Sequence, residues 1–178
     1  RTTVKHDEDD ADYVAFVDAR YARLVRAAVL LGCARTDAED AVQDALVRCY
    51  GAWPRVSAAD DRDAYVYRVL VNGITRSRRR RWRGEVPHRD LPEPPPTSDP
   101  AADVALSQSI RASLARLGAE QRQVLVLRYF ADLSEAQIAT VLGIAPGTVK
   151  SRASRAIALL SADASLNALV TRTHEEDR

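Results

Sequence analysis

Leu133-Ser-Glu-Ala-Gln-Ile-Ala-Thr-Val-Leu-Gly-Ile-Ala-Pro-Gly-Thr-Val-Lys-Ser-Arg152 decides how the chain is read. Ser134 and Gln137, three residues apart, form a capping box that opens a short helix with Ile138, Ala139 and Leu142 on its inner face. Gly143 suits the left-handed conformation that reverses the chain, Ile144 plugs the corner, and Pro146 stands where a second helix begins without needing its amide. Val149, Ala153, Ile157 and Leu160 continue the buried stripe on that second helix. Small residues at Ala139 and Gly143, with Val149 six positions later, let two helices cross closely at a tight turn. The segment reads as a helix-turn-helix. Thr148, Lys150, Ser151, Arg152 and Arg155 give its second helix a polar, cationic face, and no acid occurs from Gly143 to Ala162. Such a face can read guanine edges in the major groove or grip phosphates. A helical hairpin with a solvated basic face is the plainer alternative.

Upstream, Leu106, Ile110, Leu114 and Leu117 mark a helix that Gly118 ends. Glu120 to Phe130 reads as another, packed through Val124, Leu125, Leu127 and Phe130. Between residues 85 and 103 lie six of the eight prolines and hardly any large apolar residue. Proline removes backbone donors and favours extended conformations, so these 19 residues form a linker able to reach about 59 Å at ~3.1 Å each. The modules on either side can therefore sit well apart. In the front half, Tyr13, Phe16, Val17, Tyr21, Leu24, Val25, Ala28 and Leu31 recur at helical steps, with Gly32 as a stop. Thr36 can cap the next helix, whose apolar stripe is Ala38, Ala41, Val42, Ala45, Leu46 and Cys49. Glu39, Asp40, Gln43 and Asp44 fall largely on its solvent side. After a loop around Trp53-Pro54, a third helix starts near Asp63, carries Val66, Val69, Leu70 and Ile74, and runs into an arginine cluster.

No segment alternates convincingly as a strand, so the expected fold is all-α: two small helical domains joined by a Pro-rich linker. The expected division is a flexible acidic N-terminus over 1–11, a first module over 12–84, the linker over 85–103, a second module over 104–162 and a tail over 163–178. With 178 residues, 46% apolar and 29% charged, disorder throughout is excluded. No apolar run nears the roughly 20 residues a membrane-spanning helix needs, so no membrane insertion is expected and a cytoplasmic address is the default. Cys33 and Cys49 form no Cys-x-x-Cys pair and the three histidines are scattered, which leaves no zinc ligand set; no metal and no cofactor are expected.

The net charge of +1 averages over sorted segments. Six arginines fall within eight positions, Arg76, Arg78, Arg79, Arg80, Arg81 and Arg83, whereas Thr36 to Asp44 holds Asp37, Glu39, Asp40 and Asp44 with no base. A basic run beside an acidic one suggests a polyanionic partner and a cationic one.

These segments resemble one family together. Residues 133–152 resemble region 4 of bacterial sigma factors, the module that binds the minus-thirty-five promoter element. Asp37-Ala-Glu-Asp-Ala-Val-Gln-Asp-Ala-Leu46 resembles the region 2 helix that docks on the clamp helices of the largest RNA polymerase subunit. Ala64-Tyr-Val-Tyr-Arg-Val-Leu-Val-Asn72, followed by the arginines, resembles the helix that engages the minus-ten element. The order matches the extracytoplasmic-function sigma factors, and the words at 78–83 and 91–93 are similar to an actinobacterial subgroup, the SigE family. The resemblance covers roughly 12–83 and 104–161. Ser154 and Gly73 depart from its usual residues, an apolar or aromatic group and a better helix former.

The resemblance implies a factor that is not itself an enzyme. It implies that Glu39, Asp40, Gln43 and Asp44 bind core polymerase, through the clamp helices with region 4 near the flap. Trp53, Tyr65, Arg68, Asn72, Arg76, Arg79 and Arg80 would engage the minus-ten element and help melt DNA, a base flipping into the loop pocket. Arg128, Thr148, Lys150, Ser151, Arg152 and Arg155 would hold the minus-thirty-five element. Trp53 and Tyr65 have a second reading as core aromatics. Promoter DNA and core polymerase are the expected partners, and an anti-sigma protein covering both faces is a further one. The rival is a stand-alone helix-turn-helix regulator that binds duplex DNA as a homodimer; a third reading is a protein whose helices bind only other helices.

Overall fold

The computed structural model describes residues 2–83 and 101–162, with side chains described over 9–83 and 108–162. Among the described residues every regular element is a helix: α1 Thr2–Leu30, α2 Arg35–Gly51, α3 Trp53–Ser57, α4 Arg62–Trp82, α5 Ala101–Ala115, α6 Ala119–Tyr129, α7 Glu135–Leu142 and α8 Pro146–Ser161. The all-α reading holds. The linker assignment falls mostly on 85–100, outside the described residues, and its last three positions already belong to α5. Residues 2–11, most of the expected flexible acidic N-terminus, lie within α1.

In the front module α1, α2 and α4 pack around Phe16, Leu24, Ala28, Val42, Leu46, Cys49, Val66, Leu70 and Ile74, all buried. Each helix supplies residues three and four apart, so the apolar stripes face one another and the charges face out. Gly32, at φ 98°, ends α1 in a conformation that L side chains rarely adopt. α2 begins at Arg35 after Ala34, one residue ahead of Thr36, and no side chain caps it. Trp53-Pro54 is not a plain loop: it opens the short helix α3, proline taking an early position where its missing amide costs nothing. Asp61 caps α4, its carboxylate accepting from the Ala64 amide at 2.9 Å. The helix then continues unbroken through Gly73, to Trp82.

In the second module the capping box is present in both directions: Ser134 accepts from the Gln137 amide and the Gln137 side chain accepts from the Ser134 amide. Gly143 adopts φ 65° and ψ 38°, the left-handed turn between α7 and α8. Val124, Leu127, Ile138, Val149, Ala153 and Ala156 fill the space between α6, α7 and α8. Ile157, expected on the buried stripe, is 42% exposed; Ala156 takes the inward position instead.

The two modules do not sit apart. α7 packs along α4 and α6 touches α1, so the buried residues of both halves form one cluster. Hydrogen bonds between described residues cross from one to the other. Arg23 Nε donates to the Phe130 carbonyl at 3.1 Å, Arg122 reaches the Leu31 carbonyl at 3.4 Å, and the Gln137 side-chain Nε2 donates to the Asp61 carboxylate.

Candidate nucleic-acid and polymerase interfaces

The acidic stripe of α2 follows from its packing. With Ala38, Val42, Ala45, Leu46 and Cys49 turned inward, Asp40, Gln43 and Asp44 are exposed along one line of the helix. Glu39 lies at the edge of that line, half-exposed, and pairs with Arg35 one turn earlier at 3.6 Å. Asp37, in the same acidic run, plays a structural part instead, binding Arg81 at 2.8 Å and tying α2 to the far end of α4.

On α4 the inward residues Ala64, Val66, Tyr67, Leu70, Val71 and Ile74 leave Arg68, Asn72, Arg76, Arg79 and Arg80 exposed, with Tyr65 half-buried. Steps of three and four carry Tyr65, Arg68, Asn72, Arg76, Arg79 and Arg83 along one face. The arginine run is thus divided by geometry. Arg78 turns back to donate to the Leu31 carbonyl, and Arg81 is held by Asp37. Arg76, Arg79, Arg80 and Arg83 point to solvent. Arg20 pairs with Asp63 at the start of the helix, fixing α4 against α1.

Of the two readings of Trp53, the structure has the core aromatic. Its side chain is 2% exposed, packed edge-on to Tyr13 with ring centroids 5.1 Å apart and against Phe16 at 5.3 Å. An indole enclosed in this way cannot stack on a base without unpacking the module. Its ring N–H is buried without a partner among the described residues. Arg62 lies over the ring at 5.7 Å and binds Asp12 at 3.1 Å, which closes the pocket from outside.

On α8, Lys150, Ser151 and Arg155 are exposed and Thr148 is half-buried. Ser151 donates to the Thr148 carbonyl at 3.1 Å. Arg152 departs from the expected face: it is half-buried and binds Glu120 of α6 at 2.9 Å, fastening the second helix of the motif to the helix before it. Arg128 is exposed beside the ring of Tyr129, 5.8 Å from its centroid.

Sequence reasoning missed Arg122. Its guanidinium donates to the carbonyls of Leu114, Ala115 and Leu117, capping the C-terminal end of α5, and reaches across to Leu31. Burial and the neighbouring Arg78 make its charged form less favourable than that of a free arginine. The acceptors are backbone carbonyls distant in sequence, which no local pattern announces. Among the described residues there is no cluster able to hold a metal ion, and no helix is long and apolar enough to cross a membrane.

Residues 16–84 match the family model described as sigma-70 region 2, and residues 107–160 match sigma-70, region 4. The RNA polymerase sigma-E factor of Streptomyces coelicolor is 38% identical over 151 residues, covering 84% of each chain.

The chain belongs to the sigma-70 family.

Two further relatives are ECF RNA polymerase sigma factors of Mycobacterium tuberculosis: SigM, 34% identical over 88% of this chain and 85% of its own length, and SigL, 39% identical over 82% and 85%. Among solved structures, the sigma factor RpoE of Bartonella quintana, crystallised with the anti-sigma factor NepR, superposes with a TM-score of 0.71 at 26% identity, covering 84% of this chain and 94% of that one. CnrH, in complex with the cytosolic domain of CnrY, superposes at 0.64 and 25%, covering 89% and 90%. This sigma factor is of the extracytoplasmic-function type, a DNA-binding and polymerase-binding protein of transcription initiation. The match over 16–84 accounts for the front module, which a stand-alone helix-turn-helix regulator leaves without a purpose.

Proposed function

We propose that the three exposed stripes divide the work of promoter recognition. Asp40, Gln43 and Asp44 of α2, with Glu39 at their edge, dock on a cationic surface of core RNA polymerase, the clamp helices of its largest subunit. Tyr65, Arg68, Asn72, Arg76, Arg79 and Arg80 of α4 engage the minus-ten element and stabilise its melted strand. Lys150, Ser151 and Arg155 of α8, flanked by Thr148 and Arg128, read and grip the minus-thirty-five element, with region 4 near the polymerase flap. Trp53 anchors α3 as a packed core group, and Arg152 orients α8 rather than reading bases. The factor works in the cytoplasm beside its polymerase. An anti-sigma protein is a further partner; the solved relative RpoE, bound to the anti-sigma factor NepR, supports this.

The observation that carries the reading is the segregation of charge: one exposed helix face is acidic and two others, on separate modules, are cationic. Complementary charge steers and orients association, and contacts to phosphate make affinity fall with salt. The test is transcription by core polymerase on a promoter pool, with sequencing of the starts. Charge reversal at Asp40 and Asp44 is expected to abolish polymerase capture and leave salt-sensitive DNA binding. Alanine at Lys150 and Arg155 is expected to erase upstream selectivity and leave capture intact. Equal loss of both functions in both variants would refute the division.

A further inference from the structure

Where α5 and α6 face the end of α1, an open cleft of about 760 Å³ lies between the two modules. Pockets that take small organic ligands have volumes in this range. Leu30, Gly32 and Cys33 line one side, and Gln108, Arg111 and Arg122 the other, so neither module forms it alone. Its lining carries two arginines and no carboxylate. A third cation stands at the edge. Arg78 and Arg122 both donate to the Leu31 carbonyl, and a Cβ at Gly32 would strike both guanidinium groups. Glycine at this position therefore lets two like charges converge. Asp37, the acid beside Cys33, is already bound to Arg81 at 2.8 Å. Arg122 spends four N–H groups on the carbonyls of Leu31, Leu114, Ala115 and Leu117. A guanidinium has five. The one left over is on Nη1, the atom that lies against Gly32 in the cleft.

We infer that this cleft is a binding site for a small phosphate-bearing anion, held by Arg111 and Arg122 at the seam between the modules. The guanidinium fork matches phosphate oxygens in geometry as well as in charge. Such an anion supplies what the fold leaves out. Burial and Arg78 make the charged form of Arg122 less favourable, and a negative charge against Nη1 favours it again. The cleft is larger than one phosphate group, and Leu30 with Ala112 gives it an apolar wall for whatever the phosphate is attached to. Because its walls come from both modules, the anion binds the docked arrangement and holds the chain there by differential affinity. A soluble phosphate compound thereby governs how readily the modules separate, whatever DNA sequence the chain prefers.

The full chain is titrated by calorimetry at low salt with inorganic pyrophosphate, ADP and adenosine. Pyrophosphate and ADP are expected to bind and to raise Tm, and adenosine, which lacks phosphate, to do neither. Tighter binding of ADP than of pyrophosphate identifies a nucleotide as the occupant, and equal binding a simple phosphate. Two substitutions test the place, one on each module: Ala34→Glu and Ala112→Glu. Both alanines line the cleft and are exposed, so a carboxylate there opposes the anion without removing a packed side chain. Each should weaken pyrophosphate binding by at least about tenfold and leave Tm of the ligand-free chain nearly unchanged. Arg111→Gln should weaken it as well, through loss of a donor. Affinity retained in both glutamate variants overturns the site and sends the anion to the exposed cations of α4 and α8. Affinity retained in one of them confines the anion to a single module, which overturns the hold on docking. Adenosine binding as tightly as ADP, or no binding of either phosphate compound, overturns the assignment outright.

Discussion

Arg152 and Lys150 stand two residues apart on the same helix, yet burial gives them different work. Lys150 is exposed, whereas Arg152 is turned into its pair with Glu120. Lys150→Ala should lower the slope of log affinity against log salt for duplex DNA by about 1, the loss of one phosphate contact. Arg152→Ala should leave that slope nearly unchanged and cost at most about 1 kcal/mol of stability, as expected of a pair with one partner in solvent. Filter binding across a salt series and thermal melting separate the two. Cys49 gives a second residue-level expectation, because burial raises its thiol from 9.0 to about 11. Below pH 9 the thiol is protonated whether the chain is folded or not, and its contribution to stability is complete. Above that the unfolded chain releases a proton that the folded chain keeps, so stability falls as pH rises towards about 11. Urea midpoints at pH 8, 9.5 and 11 should decline, and less steeply in Cys49→Ala. The sequence could place Asp40, Gln43, Asp44, Arg68, Asn72, Lys150 and Arg155 on outward faces, because helical period alone decides that. It could not separate Trp53 from a surface aromatic, or Arg78, Arg81 and Arg152 from free cations. Their partners, Tyr13, Leu31, Asp37 and Glu120, come from other turns and other helices.

Elements were legible in proportion to their local signals. α7 carries a capping box at one end and a left-handed glycine at the other, and both were readable from residue type. Ser134→Ala should destabilise the chain by about 1 kcal/mol, a fall of roughly 2–4 °C in Tm for a chain of this size. Gly143→Ala should cost at least as much, since alanine at φ 65° meets its own backbone. Calorimetry on both variants checks this, and a Gly143→Asn variant, whose side chain tolerates the left-handed region, should recover part of the loss. Where signals are weak or misleading, residue type points the wrong way. Thr36 is a good capping residue, but the chain enters α2 earlier, from Ala34. Trp53-Pro54 reads as a loop because proline is a breaker within helices and a starter at their first turn. On α8 a strict inner stripe would bury Ile157, whereas the close crossing with α7 accepts small residues, and Ala153 and Ala156 occupy it.

At the scale of the whole molecule, the packing of α4 against α7 sets a condition on function. Packed helices lie about 8–10 Å apart, whereas elements nominally 25 base pairs apart are separated by about 85 Å at ~3.4 Å per pair. A chain with its modules docked cannot place α4 on one proposed element and α8 on the other. Residues 84–100, the 17 between the described segments, set an upper limit of about 53 Å on the separation of their ends at ~3.1 Å per residue. If α4 and α8 read the two proposed elements at once, the docked arrangement has to open. The contacts that oppose opening are modest in kind: the apolar seam of α4 and α7 with the Gln137–Asp61 hydrogen bond, and the bonds of Arg23 and Arg122 where α1 meets α6. Arg122 shares the Leu31 carbonyl with Arg78, and burial together with that second cation makes its charged form less favourable in the docked arrangement. Dyes on cysteines introduced at the exposed positions Asp18 and Ala158, in a Cys33→Ser background, should show high transfer in the free chain and a marked loss when core polymerase and promoter DNA bind. Arg23→Ala removes one exposed bond of the seam and should raise the open-to-closed ratio about two- to threefold, the low end for a lost hydrogen bond. Transfer that stays high in the promoter complex would mean that both elements are reached without separating the modules, and the requirement for opening would fall.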